Sequence, residues 1–102
     1  MDDILAEEFI ALQQSGTLEN YLLLDVREPL EFHTHNIGGI NIPLGKLQNL
    51  IDEEEIDFDT EQTIIVICQR GLRSKTAKSI LNQNGFKNVR NLIGGLLKLR
   101  QI

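Results

Sequence analysis

Apolar residues along the chain come in short blocks whose spacing switches between that of a helix and that of a strand. Leu5, Phe9 and Leu12 recur at helical spacing behind Asp2 and Asp3, either of which can cap a helix, and this pattern stops near Ser15-Gly16. Tyr21-Leu22-Leu23-Leu24-Asp25-Val26 is a continuous run of strand length, as expected for a strand buried on both faces of a parallel sheet. Pro29 can open a short helical turn through Phe32, after which Gly38-Gly39 leads into a second short strand, Ile40-Asn41-Ile42, stopped by Pro43. Leu44, Leu47, Leu50 and Ile51 return to helical spacing. Thr63-Ile64-Ile65-Val66-Ile67 is β-branched throughout and predicts the strongest strand, placed at the centre of the sheet.

Beyond it, Ala77, Ile80 and Leu81 share one helical face, and Gly85 is placed to end that helix in a left-handed turn with Phe86 folding back on Leu81. Asn88 to Leu92 reads as a last strand, and Gly94-Gly95 turns the chain into a final helix from Leu96 to about Ile102. Strands alternating with helices predict an α/β protein with a parallel sheet covered on both faces. There is no internal repeat or low-complexity linker, and 102 residues suit one domain, residues 1–102, with one hydrophobic core.

Composition narrows the function classes. A hydrophobic content of 41% with 25% charged residues is ordinary for a globular protein, and no apolar stretch approaches the roughly 18 residues of a membrane span. Met1-Asp2-Asp3 opens with acid where a secretory signal carries base, so the expected location is cytoplasmic. One cysteine excludes an internal disulfide, and His33 and His35 do not form a Cys/His cluster with zinc-site spacing, so no metal is expected.

The net charge of −5 hides an asymmetry. Before Cys68 lie all fifteen acids and only Arg27 and Lys46, a sum of −13. From Cys68 onward there are eight bases and no acid, a sum of +8. The two parts should attract each other. Seven acids between Asp52 and Glu61 read as a solvated loop, with a partner-binding patch as the alternative. The basic residues are spread without interleaved aromatics, which argues against nucleic acid.

The candidate chemistry lies directly after the strongest strand, in Cys68-Gln69-Arg70-Gly71-Leu72-Arg73-Ser74. Ligands of open parallel sheets bind beyond the carboxyl ends of strands. A cysteine there, next to a helix N-terminus and two arginines, is favoured as thiolate over thiol. A lone cysteine ending an apolar strand is more often a small buried hydrophobe. Against that reading stand the polar and basic residues that follow it, the tight backbone path open to Gly71, and Ser74, a preferred helix N-cap. Successive N–H groups closing on one sulfur would form an anion-binding nest.

This loop resembles the active-site loop of rhodanese domains. Leu24-Asp25-Val26-Arg27-Glu28-Pro29 with Glu31-Phe32 resembles the family's first signature, and Asn36 to Pro43 the segment after it; Gly85-Phe86, Val89, Leu92 and Gly94-Gly95 resemble its C-terminal signature. Leu99 departs from the pattern, since many members have tryptophan there. The wording of Asn36-Ile37-Gly38-Gly39 and Cys68-x-x-Gly71-x-Arg73-Ser74 is closest to rhodanese domains fused to the adenylyltransferases of molybdenum-cofactor and thiamin synthesis, although these 102 residues hold no adenylyltransferase.

The resemblance implies a three-layer α/β/α fold and a sulfurtransferase. Cys68 would carry sulfur as a persulfide, taken from a small anionic donor such as thiosulfate, a persulfide or a polysulfide, and pass it to a small nucleophile or a protein carrier. No cofactor is implied. Gln69 to Ser74 would form the binding loop, with Arg70 meeting the donor and Arg73 supporting the nest or pairing with Asp25 or Glu28. Asp25 and Arg27 would brace the loop, and His33 and His35 would lie on the surface. Two rival classes share this fold: a phosphatase or arsenate reductase, for which Cys68-x4-Arg73 is one residue short of the Cys-x5-Arg loop, and a non-catalytic interaction module, which usually lacks the cysteine. Donor, acceptor and oligomeric state are not legible in the sequence.

Overall fold

The computed structural model describes residues 1–102. Four strands, β1 (Leu22–Asp25), β2 (Ile40–Asn41), β3 (Ile64–Ile67) and β4 (Val89–Asn91), form one sheet in the order β2-β1-β3-β4, every pairing parallel. β3 is interior, and all four of its residues are buried. Five α-helices connect or flank the strands: α1 (Ala6–Ser15), α2 (Pro29–Thr34), α3 (Leu44–Asp52), α4 (Leu72–Gln83) and α5 (Gly95–Arg100). None is long and apolar enough to cross a membrane.

The side-chain period of two sorts β3 between two cores. Ile64, Val66 and Cys68 pack with Leu24, Val26, Leu47, Ala77, Leu81 and Val89 on the side of α3 and α4. Ile65 and Ile67 pack with Ile4, Phe9, Leu92 and Leu96 on the side of α1 and α5. The result is the expected three layers, helices on both faces of a parallel sheet. Between α1 and β1 runs a 3₁₀ helix, Thr17–Asn20, which the sequence pattern does not announce.

The start of α1 differs from expectation. Neither Asp2 nor Asp3 caps α1: Leu5 occupies the N-cap position without a side-chain bond, because Ile4 is drawn into a bridge with Leu92. Leu5 is accordingly exposed, and Ile4, Ala6 and Phe9 are the buried residues. Asp3 instead accepts hydrogen bonds from Lys78 Nζ at 2.6 Å and Asn91 N at 3.0 Å. The end of α4 follows the expectation, with Phe86 N bonding Leu81 O and Gly85 N bonding Asn82 O in a Schellman turn.

The charge asymmetry is expressed in the contacts. Three of the four ion pairs, Arg73–Glu31, Lys78–Asp3 and Arg90–Glu8, join a base of the C-terminal part to an acid of the N-terminal part. The acidic stretch is mostly exposed, but it is anchored by Phe58, which is buried edge-on against Phe86 at 5.7 Å between ring centroids.

Candidate active site

β3 delivers Cys68 into the core on the α4 side, where its residue is only 1% exposed. The chain then reverses through Gly71, whose φ of +86° belongs to the left-handed region; a Cβ there would stand 2.9 Å from Gly94 N. That turn aims two backbone donors at the sulfur, Gly71 N at 3.0 Å from Sγ and Ser74 N at 3.3 Å. The loop is clamped from behind by the start of α5. Leu96 N donates to Cys68 O at 3.0 Å and Leu97 N to Gln69 O at 2.9 Å. Gly95 permits this approach, since a Cβ on it would fall 2.4 Å from Cys68 O.

Burial pushes the Cys68 thiol up, but the hydrogen bond it shares with the Ser74 side chain and those from the backbone N–H groups of Ser74, Arg70 and Gly71 outweigh it, leaving the group below the ordinary thiol value. The backbone donors favour the negatively charged form. Ser74 is not the N-cap of α4, as its residue type had indicated. Gly71 is the N-cap, without a side-chain bond, and Ser74 lies one turn in, its Oγ 3.3 Å from Cys68 Sγ and 2.5 Å from Asn91 Oδ1.

Above the sulfur opens a cavity of about 260 Å³ lined by Glu31, Cys68, Gln69, Arg70, Leu72 and Arg73. Leu72 is largely exposed at its edge. Arg73 pairs neither with Asp25 nor with Glu28 but with Glu31, in a two-pronged bridge of 2.6 and 2.9 Å. The Arg73 guanidinium and the Glu28 N–H, opposed by partial burial, hold the Glu31 carboxyl at about 2, so the bridge is fully ionised at neutral pH. Arg70 makes no side-chain hydrogen bond or ion pair, which leaves its charge free at the cavity. His33 and His35 are exposed.

Asp25 is committed to Arg27. The Arg27 guanidinium donates from Nε to Asp25 Oδ1 at 3.0 Å and from Nη2 to Oδ2 at 2.9 Å, and reaches the carbonyls of Glu31 and His35. Both side chains are buried, at 0 and 3% exposure. None of these hydrogen bonds reaches residues 68–74. The pair ties β1 to α2, and its link to the loop runs through Glu31.

Glu31 and Asn91 are the two residues of the site that sequence reasoning missed. Each left a signal. Glu31 is an acid three residues after Glu28, and the two form a reciprocal capping box at the start of α2. Asn91 is a polar residue at a strand position in register with Val89, which faces the core.

The sequence and the fold have counterparts among known proteins. The family model for the rhodanese-like domain matches residues 5–101. The chain belongs to the rhodanese-like domain family. Arabidopsis thaliana thiosulfate sulfurtransferase 16, chloroplastic, is 34% identical over 87 residues, covering 76% of this rhodanese-like chain and 72% of that protein. Zea mays adenylyltransferase and sulfurtransferase MOCS3-2 is 34% identical over 97 residues, covering 91% of this chain and 20% of that protein. The chain likewise spans only 61% of a Schizosaccharomyces pombe relative. Among solved structures, a rhodanese-related protein from Thermoplasma volcanium superposes with a TM-score of 0.77 at 28% identity, covering 99% of this chain and 92% of that one. The chain's relatives include proteins named sulfurtransferases.

Proposed function

We propose that this rhodanese-like chain is a sulfurtransferase that moves sulfane sulfur through a persulfide on Cys68. The observation that carries the reading is a buried sulfur facing two backbone N–H donors at the floor of a cavity with a free arginine at its mouth. The Cys68 thiolate attacks the outer sulfur of a donor. With thiosulfate, the new S–S bond forms as the old one breaks, and sulfite leaves with its bonding electron pair; the enzyme keeps Cys68–S–S⁻. A nucleophile then takes the outer sulfur: cyanide departs as thiocyanate and the thiolate is restored. Both steps balance without an external oxidant or cofactor.

The loop residues divide the work. The N–H groups of Gly71 and Ser74 stabilise the negative sulfur before attack and after release. Arg70 receives the anionic end of the donor, with Gln69 and Leu72 forming the cavity edge. Arg73, held by Glu31, keeps the mouth of the cavity in one shape. Relatives named as sulfurtransferases, one of them joined to an adenylyltransferase, support a protein acceptor as well as a small one. Initial rates with thiosulfate and cyanide test the proposal: parallel double-reciprocal lines are expected, with Arg70→Ala raising the thiosulfate KM about tenfold by loss of one charge-assisted contact. Intersecting lines, with no step completed before cyanide binds, would overturn it.

A further inference from the structure

The Ser74 hydroxyl stands between two acceptors, Cys68 Sγ at 3.3 Å and Asn91 Oδ1 at 2.5 Å, and it owns one proton. The orientation of the Asn91 amide is fixed from its other end. Its Nδ2 donates to Gly71 O at 3.2 Å, and a carbonyl can only accept, so Oδ1 must face Ser74. An amide oxygen cannot donate, so the 2.5 Å bond requires the proton to come from Ser74. In that arrangement Ser74 has only a lone pair to offer the sulfur, which suits a thiol that donates its S–H and not a thiolate. All three residues are buried, at 1% exposure for Cys68, 0% for Ser74 and 5% for Asn91, so water does not compete readily for the proton.

We propose that Asn91 is a positioning residue for the sulfur chemistry: it competes with Cys68 for the single Ser74 proton, which donates to the amide while the sulfur is a thiol and turns to the sulfur when it becomes a thiolate. The inference rests on the proposed role of Cys68 and adds a residue from β4 to it. No bond order changes in the switch. When the S–H proton leaves, the Ser74 hydroxyl rotates, its bond to Asn91 Oδ1 breaks and one to Sγ forms.

The competition has a chemical use. A thiol whose proton is lost too readily is a poorer nucleophile, and the best attacking thiol ionises near ambient pH. Asn91 opposes the backbone N–H donors, which push the other way. The same rotation can repeat at the persulfide stage, releasing the hydroxyl to Asn91 when the charge moves to the outer sulfur.

Other charged groups surround this unit without sharing the proton. Arg70 and Arg73 lie on the loop and α4, with Glu31 of α2 bound to Arg73. Behind Asn91, its backbone N–H donates to Asp3, which is paired with Lys78 of α4. No hydrogen bond joins any of these side chains to Ser74 Oγ, and all of them remain in the variants below.

The test is the pH dependence of iodoacetamide alkylation of Cys68, with cyanide-coupled turnover measured alongside. Asn91→Leu frees the hydroxyl for sulfur, so alkylation below the midpoint should be about three- to tenfold faster than in the wild type, the net size of one ordinary hydrogen bond. In the Ser74→Ala background, Asn91→Leu should change nothing. Ser74→Ala alone should shift the profile to higher pH, because the thiolate loses a donor. This second variant decides the matter if Asn91→Leu fails to fold. A hydroxyl fixed on Asn91 would serve only as an acceptor for the thiol, and its removal would shift the profile to lower pH, overturning the proposal. An Asn91→Leu profile that is unchanged, or moved to higher pH, would overturn it too. If Cys68 alkylates as expected in all variants but none turns over sulfur, the sulfurtransferase reading fails while the proton competition stands.

Discussion

Cys68→Ser should eliminate sulfur transfer while leaving the fold in place. The serine oxygen would meet the same two N–H donors and the Ser74 hydroxyl that now face Sγ, so its burial is satisfied and costs little. Its chemistry is different. A hydroxyl in this cradle stays protonated at neutral pH, and it cannot form the S–S bond that stores the transferred atom. Turnover of thiosulfate and cyanide is therefore expected to fall by more than about a thousandfold, to the uncatalysed rate, as when an essential nucleophile is removed. Far-ultraviolet circular dichroism should match the wild type. Retention of even a tenth of the activity in the serine variant would mean that sulfur passes directly between donor and acceptor.

The second large effect concerns stability. Arg27→Met keeps the length of the side chain but leaves the Asp25 carboxylate buried without its counter-ion and strips the Glu31 and His35 carbonyls of a donor. Removing one partner of a buried ion pair costs about 3–5 kcal/mol. Against a total stability of about 5–15 kcal/mol, that is enough to leave a marginal domain partly unfolded. Urea denaturation should show the loss, and Asp25→Leu combined with Arg27→Met should recover part of it, because the pair is then replaced rather than broken. A single Arg27→Met variant within 1 kcal/mol of the wild type would contradict this account of the pair, with ~1 kcal/mol being the ordinary size of an exposed bridge.

Much of the fold was legible because the informative signals are local. The β-branched run at Ile64 to Ile67 marks an interior strand, and Gly85-Phe86 marks the Schellman turn. The placement of Cys68 after that strand is also local, which is why the loop could be read before any contact was known. What escaped the sequence was pairing between distant residues. Arg73 had Asp25 and Glu28 as plausible partners, and only the packing of α2 against the loop selects Glu31, 42 positions away. Ser74 looked like a helix cap because its type favours that position, yet the tight turn at Gly71 starts α4 earlier and rotates Ser74 inward, in line with Ala77 and Leu81. Asp3 behaves similarly: its carboxylate accepts from Lys78 and the backbone of Asn91, and α1 starts without a side-chain cap. In each case a local preference yielded to a tertiary partner.

The division of charge fared better because it does not depend on register. An N-terminal part of −13 and a C-terminal part of +8 are joined by three ion pairs, and one of these, Arg73–Glu31, stands at the cavity mouth. The same asymmetry places Arg70, without an ion-pair partner, at the cavity beside Cys68, in keeping with the anionic donor proposed above.

The central claim, that Cys68 carries the sulfur, is tested most directly by intact-mass spectrometry after exposure to thiosulfate and removal of excess donor. The expected result is a gain of one sulfur atom on the wild-type chain, mapped to Cys68, discharged by cyanide and absent from Cys68→Ser. A wild-type chain whose mass never changes while thiocyanate accumulates would contradict it.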